Sequence, residues 1–283
     1  MKTYLDCIPC FMNQALRAGR LATTDDDKIR KLLDKAGDSI KNIDLSKTPA
    51  EYGALVYQQA REITGVFDPY KKIKDESIAE AKKLYLKLVD IVKESDNPLL
   101  TSVRIAIAGN VIDLGIDKEF DISADLEEIL VQDFGICDFD KFEETLNRAK
   151  TILYLGDNAG ESVFDNLLIE QFTGKKVIYA VREVPVINDV IIQDAVNSGI
   201  DEVAEIISSG SPAPGTILSL CNEEFMGIYN SADMVISKGQ GNYEGLSDAD
   251  RSIFFMLKAK CKVIASDLDV ELNDIILKTI NYT

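Results

Sequence analysis

From residue 151 onward, short apolar runs rich in β-formers alternate with stretches of helical spacing. No other feature of the sequence constrains its fold as strongly. Strand-like runs fall at 151–155, 176–181, 202–207, 234–237 and 262–265. Helix-like runs lie between them, at about 162–172, 189–198, 214–228 and 247–259. Such alternation predicts a parallel sheet with helices on both faces. Crossovers between parallel strands are right-handed, so strand ends of one polarity share one edge. The loops after the strands then line one crevice, where open α/β sheets bind ligands.

Four of these loops carry chemistry. The first strand runs into Gly156-Asp157-Asn158-Ala159-Gly160-Glu161. The second is followed by Arg182-Glu183-Val184-Pro185-Val186-Ile187-Asn188-Asp189, with Asp189 opening the next predicted helix. The third leads into a Gly/Ser/Pro turn, Ser208 to Thr216, that contains Gly210 and Ser211. The fourth gives Ser237-Lys238-Gly239-Gln240-Gly241-Asn242. Carboxylate and amide oxygens are hard ligands that suit Mg²⁺ or Mn²⁺. Gly/Ser backbone amides at a helix start suit a phosphate, and a lysine supplies a point charge to it. Taken singly, each loop has a plainer reading. Asp157, Asn158 or Asp189 would serve as an N-cap, and Lys238 as a solvated side chain.

Ahead of this region, helical spacing recurs at 25–42, 50–64 and 71–95, and Thr48-Pro49 resembles a helix start. Asn97-Pro98 breaks the pattern. The expected organisation is an all-helical region over 1–98 and an α/β domain over 99–283. The stretch 99–116 is almost wholly apolar yet carries Asn110 and Asp113. They are three apart and share a helix face. A carboxylate there needs a partner, such as Arg104, or a polar site to face. Two further helices are expected at 123–134 and 138–149.

The chain has no histidine, which removes His-based triads, His general bases and His-ligated zinc. Its net charge of −17 argues against a nucleic-acid backbone or an anionic membrane as partner. Five cysteines, only Cys7 and Cys10 close together, with no leader-like run before them, fit a reduced cytoplasmic chain. The single CxxC lacks the second pair a four-thiolate zinc site needs.

Several blocks, in order, resemble the damage-control phosphatases, metal-dependent enzymes on a Rossmann-like α/β domain with a helical N-terminal region. The blocks are AGNVID, GDNAGE, REVPVIND, SGSPAPGT and SKGQGNYE, and they span nearly the whole chain. The N-terminal CxxC resembles the archaeal-type branch. The resemblance implies that Asp157, Asn158 and Asp189 hold a divalent metal (Mg²⁺, Mn²⁺, Co²⁺ or Ni²⁺) and that Lys238 contacts the substrate phosphate. It implies phosphorylated small metabolites as substrates, either sugar phosphates or damaged cofactor phosphates. On this reading Asp157 attacks phosphorus or orients a water, and Asp189 shares in catalysis. Gly210 and Ser211 would hold phosphoryl oxygens, with Glu161, Arg182, Asn110 and Asp113 around the metal or the substrate hydroxyls. Two rivals share the fold, a methyltransferase and a non-catalytic sugar-phosphate sensor. Against the first, GDNAG places Asp and Asn where a dinucleotide or nucleotide-type turn needs glycine.

Overall fold

The computed structural model describes residues 1–109 and 130–282. Seven strands form one sheet in the order β1-β7-β6-β5-β2-β3-β4. They are β1 (Phe134–Cys137), β2 (Thr151–Leu155), β3 (Lys176–Val181), β4 (Glu205–Ser208), β5 (Met234–Lys238), β6 (Ile253–Lys258) and β7 (Ile275–Ile280). All neighbours are parallel except β6 and β7. The chain builds outward from β2 through β3 to β4, then returns to lay β5 on the other side of β2. The order therefore reverses between β2 and β5, and the crevice beyond their carboxyl ends is the expected ligand position.

The four N-terminal helices are α1 (Cys7–Ala22), α2 (Asp26–Lys41), α3 (Pro49–Thr64) and α4 (Lys71–Glu94), followed by α5 (Pro98–Gly109). Thr48 starts α3 with a full capping box, in which its hydroxyl accepts from the Glu51 amide while the Glu51 carboxylate accepts from Thr48 N. That satisfies two donors a helix start would otherwise leave open. Helices α1 to α3 share one apolar cluster, which Val186 of the β3 loop joins. Helix α4, in contrast, buries Ile78, Ala81, Leu88 and Val92 in the main core together with α5 and one face of the sheet. The other face packs on a second cluster containing Phe225, Tyr243 and Leu246.

Two expectations reverse. The stretch 247–259, expected as helix, contains strand β6, and 262–265, expected as strand, begins helix Lys262–Leu268. Ile253, Phe254, Phe255, Met256 and Leu257 are each at most 1% exposed, so β6 is covered on both faces and shows no period of two. A short, continuously apolar run cannot be told from a buried helical turn by periodicity. Strand β4 begins at Glu205, not 202, because Ile200–Glu202 forms a 3₁₀ turn after Gly199. The helix expected at 189–198 spans only Ile192–Ser198, so Asp189 precedes it and does not open it. Strands β1 and β7 carry no signal that the alternation registers.

Candidate active site

Leu155 of β2 and Ser237 of β5 are in register, so Gly156-Asp157 and Lys238-Gly239 leave the sheet side by side. Gly239 has φ +78°, and a Cβ there would overlap the Asp157 carboxylate. Only glycine allows both this backbone conformation and this approach. The β2 and β3 loops then zip together. Val190 N donates to Asp157 O at 2.8 Å, Ala159 N to Asn188 O at 2.9 Å, and Asn158 forms an isolated bridge with Asp189. Asn158 is thereby set against Asp189, although 31 positions separate them in sequence.

Arg182 joins the two carboxylates from beneath. It is 1% exposed, its Nε donates to Asp189 Oδ2 at 2.8 Å, and its Nη2 lies 3.8 Å from Asp157 Oδ1. Its Nη1 reaches Thr216 Oγ1 at 3.4 Å. The Thr216 hydroxyl in turn donates to Asn242 Oδ1 at 2.8 Å. Asn242 closes the frame by donating to Gly156 O at 3.1 Å and Lys238 O at 2.7 Å. One buried amide therefore ties together the β2, β4 and β5 loops.

Lys238 does not reach the crevice. Its ammonium donates to Asp165 Oδ1 at 2.6 Å, to the Ala106 carbonyl at 2.9 Å and to Glu161, all fully buried. Asp165 also accepts from the Tyr154 and Tyr179 hydroxyls, at 2.6 and 2.7 Å. The other Glu161 oxygen accepts from Asn158 Nδ2 at 3.3 Å, and the same nitrogen donates to Asp157 Oδ2 at 3.0 Å. With its nitrogen held by two carboxylates, the Asn158 amide turns its carbonyl oxygen away from them. The Gly210 and Ser211 amides are also taken up within their own turn, donating to Ser208 Oγ at 3.1 Å and Ser209 Oγ at 3.3 Å. Asn110 and Asp113 lie outside the described residues.

Burial dominates the electrostatics. It pushes Glu161 up to about 8, with Lys238 opposing the rise and Asp157 and Asp165 adding to it. It pushes Asp189 up to about 7, opposed by Arg182 and reinforced by Asp157. Burial also works against the charge of Lys238, but Asp165 and Glu161 outweigh it and raise that pKa. Above these groups lies a cavity of about 330 Å³. Asp157, Asn158 and Asp189 form its acidic wall, α1 and α3 contribute Cys7, Cys10 and Gly53, and Lys260, Cys261 and Lys262 line it as well.

A family model for the damage-control phosphatase ARMT1-like domain matches residues 3–276, which include every residue of this frame. The chain belongs to the damage-control phosphatase family. It is 36% identical to the damage-control phosphatase PH1575 of Pyrococcus horikoshii, with 95% of each chain covered. It is 31% identical to a damage-control phosphatase of Archaeoglobus fulgidus, over 97% of this chain and 98% of the relative. The crystal structure of the Pyrococcus horikoshii DUF89-family protein superposes with a TM-score of 0.89 at 34% identity, covering 98% of both chains.

Within this damage-control phosphatase, sequence reasoning misses Thr216, Asn242, Gly239 and Asp165. Asp165 had a usable signal, because helix Ser162–Ile169 is otherwise apolar apart from Asn166 and Ser162, and a carboxylate there demands a cation. Thr216 and Asn242 carry no such mark, because their role depends on where three loops meet.

Proposed function

We propose that this damage-control phosphatase hydrolyses phosphate monoesters of small metabolites with a divalent cation held by Asp157, Asn158 and Asp189. One observation carries the reading. Four buried carboxylates, Asp157, Glu161, Asp165 and Asp189, surround two buried cations, Arg182 and Lys238. Among the described residues, the four carboxylates, once ionised, exceed these two cations by two charges, and nearby Lys74 is already shared by Asp68 and Asp194 at 2.7 Å each. Buried charge is stabilised only when it is paired or coordinates a metal. A divalent cation between two carboxylates and an amide oxygen matches both the deficit and the donor chemistry.

When bound, the metal would neutralise phosphoryl oxygens in the transition state. The protein's own groups do the positioning. Asp157 lies at the cavity wall and is the group placed to attack phosphorus or to orient a water. Arg182 holds both site carboxylates from the protein side. Lys238 holds Glu161, and Glu161 holds the Asn158 amide, so we assign Lys238 to the support of the site and not to the phosphate. Phosphate release from an aryl phosphate, after chelation and with each of Mg²⁺, Mn²⁺, Co²⁺ and Ni²⁺ restored, tests the reading. Activity that is lost with chelator and regained with metal supports it. Ligand binding without turnover under any metal would favour a sensor.

Two further outcomes follow from the geometry. Gly239→Ala forces a Cβ into the Asp157 carboxylate, so phosphate release is expected to fall by about tenfold or more, roughly 1.4 kcal/mol in the barrier. Steady-state kinetics on the folded variant measure it. The pH dependence has a definite sign. Burial raises the Asp189 carboxyl to about 7, above its value in an unfolded chain, so the metal-free protein loses stability as pH climbs from about 4 through 7. Metal binding displaces that proton, so affinity is expected to rise with pH up to about 7 and then level. Calorimetric titration in two buffers of different ionisation enthalpy reads the proton released.

A further inference from the structure

We propose that Lys260 and Lys262 form a second anion-binding position in the same cavity. The substrate class would then be a phosphomonoester that carries a second anionic group, a carboxylate or another phosphate. This rests on the phosphatase reading of the acidic wall and goes further by naming what the lysines lining the same cavity take.

The two cations at the heart of the site are already committed, Arg182 to Asp189 and Asp157, and Lys238 to Glu161 and Asp165. Neither lines the cavity. Among the described residues, the lysines that do are Lys260 and Lys262, on either side of Cys261. Among the described residues, neither lysine has a hydrogen-bond or ion-pair partner, in a chain where acids outnumber basic residues 48 to 31. Both are exposed, so their mutual repulsion is screened and modest, and an anion held between two like charges two positions apart relieves it.

The sheet order sets the spacing of the strands from which the two loops leave. Strand β6 is parallel to β5, so its carboxyl end opens onto the same edge as the site. Lys260 lies two residues past the end of β6, and Gln240, one residue after Gly239, donates to Cys261 Sγ at 3.6 Å. β6 lies two strand steps from β2, which at about 4.8 Å each separates the strands that carry the two loops by roughly 10 Å. A six-carbon phosphate ester with an anionic far end spans that distance, and a cavity of about 330 Å³ accommodates it. The cavity's other acids do not occupy the lysines. Glu244 accepts from Gln240 at 3.2 Å, and burial raises it to about 7, while Asp6 is exposed at the mouth.

The test compares sorbitol 6-phosphate with 6-phosphogluconate, which differ only in a terminal hydroxymethyl against a carboxylate. Sorbitol 1,6-bisphosphate adds the phosphate arm. Calorimetric binding is measured with and without Mg²⁺, and phosphate release is measured separately. The expected result is tenfold or tighter binding of at least one dianionic-ended ligand, and the arm preferred identifies the second group. The preference should collapse to near unity in Lys260→Gln/Lys262→Gln and survive in Lys260→Arg/Lys262→Arg. Equal binding of all three ligands, no binding of any up to millimolar concentration, or a preference that persists in the Gln variant overturns the proposal. Preference without phosphate release under any metal would instead overturn the phosphatase reading and leave the second anion position standing.

Discussion

Asp157→Asn and Asp189→Asn should each lower phosphate release by on the order of 10³-fold, about 4 kcal/mol in the barrier, without unfolding the protein. Each substitution keeps the side-chain shape and removes one of the four carboxylates crowded around two cations. Because the site carries excess negative charge, losing one carboxylate should leave the melting temperature in chelator unchanged or higher. Asp189→Asn should also weaken Mn²⁺ binding, since it deletes a carboxylate of the proposed metal site, set against Asn158. Capping roles for these residues predict the opposite pattern, about 1 kcal/mol of lost stability and intact turnover. Helix Ser162–Ile169 has Glu161 at its cap position with no side-chain capping bond, and Asp189 stands ahead of helix Ile192–Ser198, so the capping reading finds no support in the geometry. Thermal denaturation in chelator beside kinetics in saturating metal separates the two.

Lys238→Met should cost about 3–5 kcal/mol of folding stability, the range seen when one partner of a buried ion pair is removed. Lys238 is fully buried and is the cation shared by Glu161 and Asp165, which are themselves fully buried. Its removal leaves the buried Glu161 and Asp165 carboxylates without their shared cation. Asp165→Asn, which leaves Lys238 one full carboxylate partner, should cost clearly less. Urea denaturation with and without metal measures both. A Lys238→Met loss below about 0.5 kcal/mol, the scale of a surface change, would show that the lysine does not hold this network together.

The parts of the fold legible in the sequence are those where one signal dominates. β2 and β3 begin and end at the residues their β-rich runs mark, and Thr48-Pro49 marks the start of α3. β6 and the helix after it exchange identities because a strand buried on both faces and a short β-branched helical turn look alike in one dimension. The acidic half of the site was legible as residue types at strand ends, and the register of β2 with β5 brings those ends together. What the sequence could not show was direction. Lys238 follows a strand in a glycine-rich loop, as a phosphate-binding lysine would, yet its ammonium turns inward because Asp165, on a helix 73 residues earlier, waits there. Arg182 shares a loop with Asp189, but its bond to Thr216, and through Thr216 to Asn242, exists only once the β4 and β5 loops converge. Pairings that depend on three separate loops leave no spacing to read.

The central claim is that Asp157, Asn158 and Asp189 hold one divalent cation required for turnover. The most direct measurement is an anomalous difference map from a crystal soaked in Mn²⁺, collected on protein whose Mn²⁺-dependent phosphate release has been verified in solution. The account predicts a single strong peak bounded by the two carboxylates and the Asn158 carbonyl oxygen, opening onto the cavity that Lys260 and Lys262 also line. A map with no peak there, or with the ion elsewhere on the chain while the same protein releases phosphate, would contradict it.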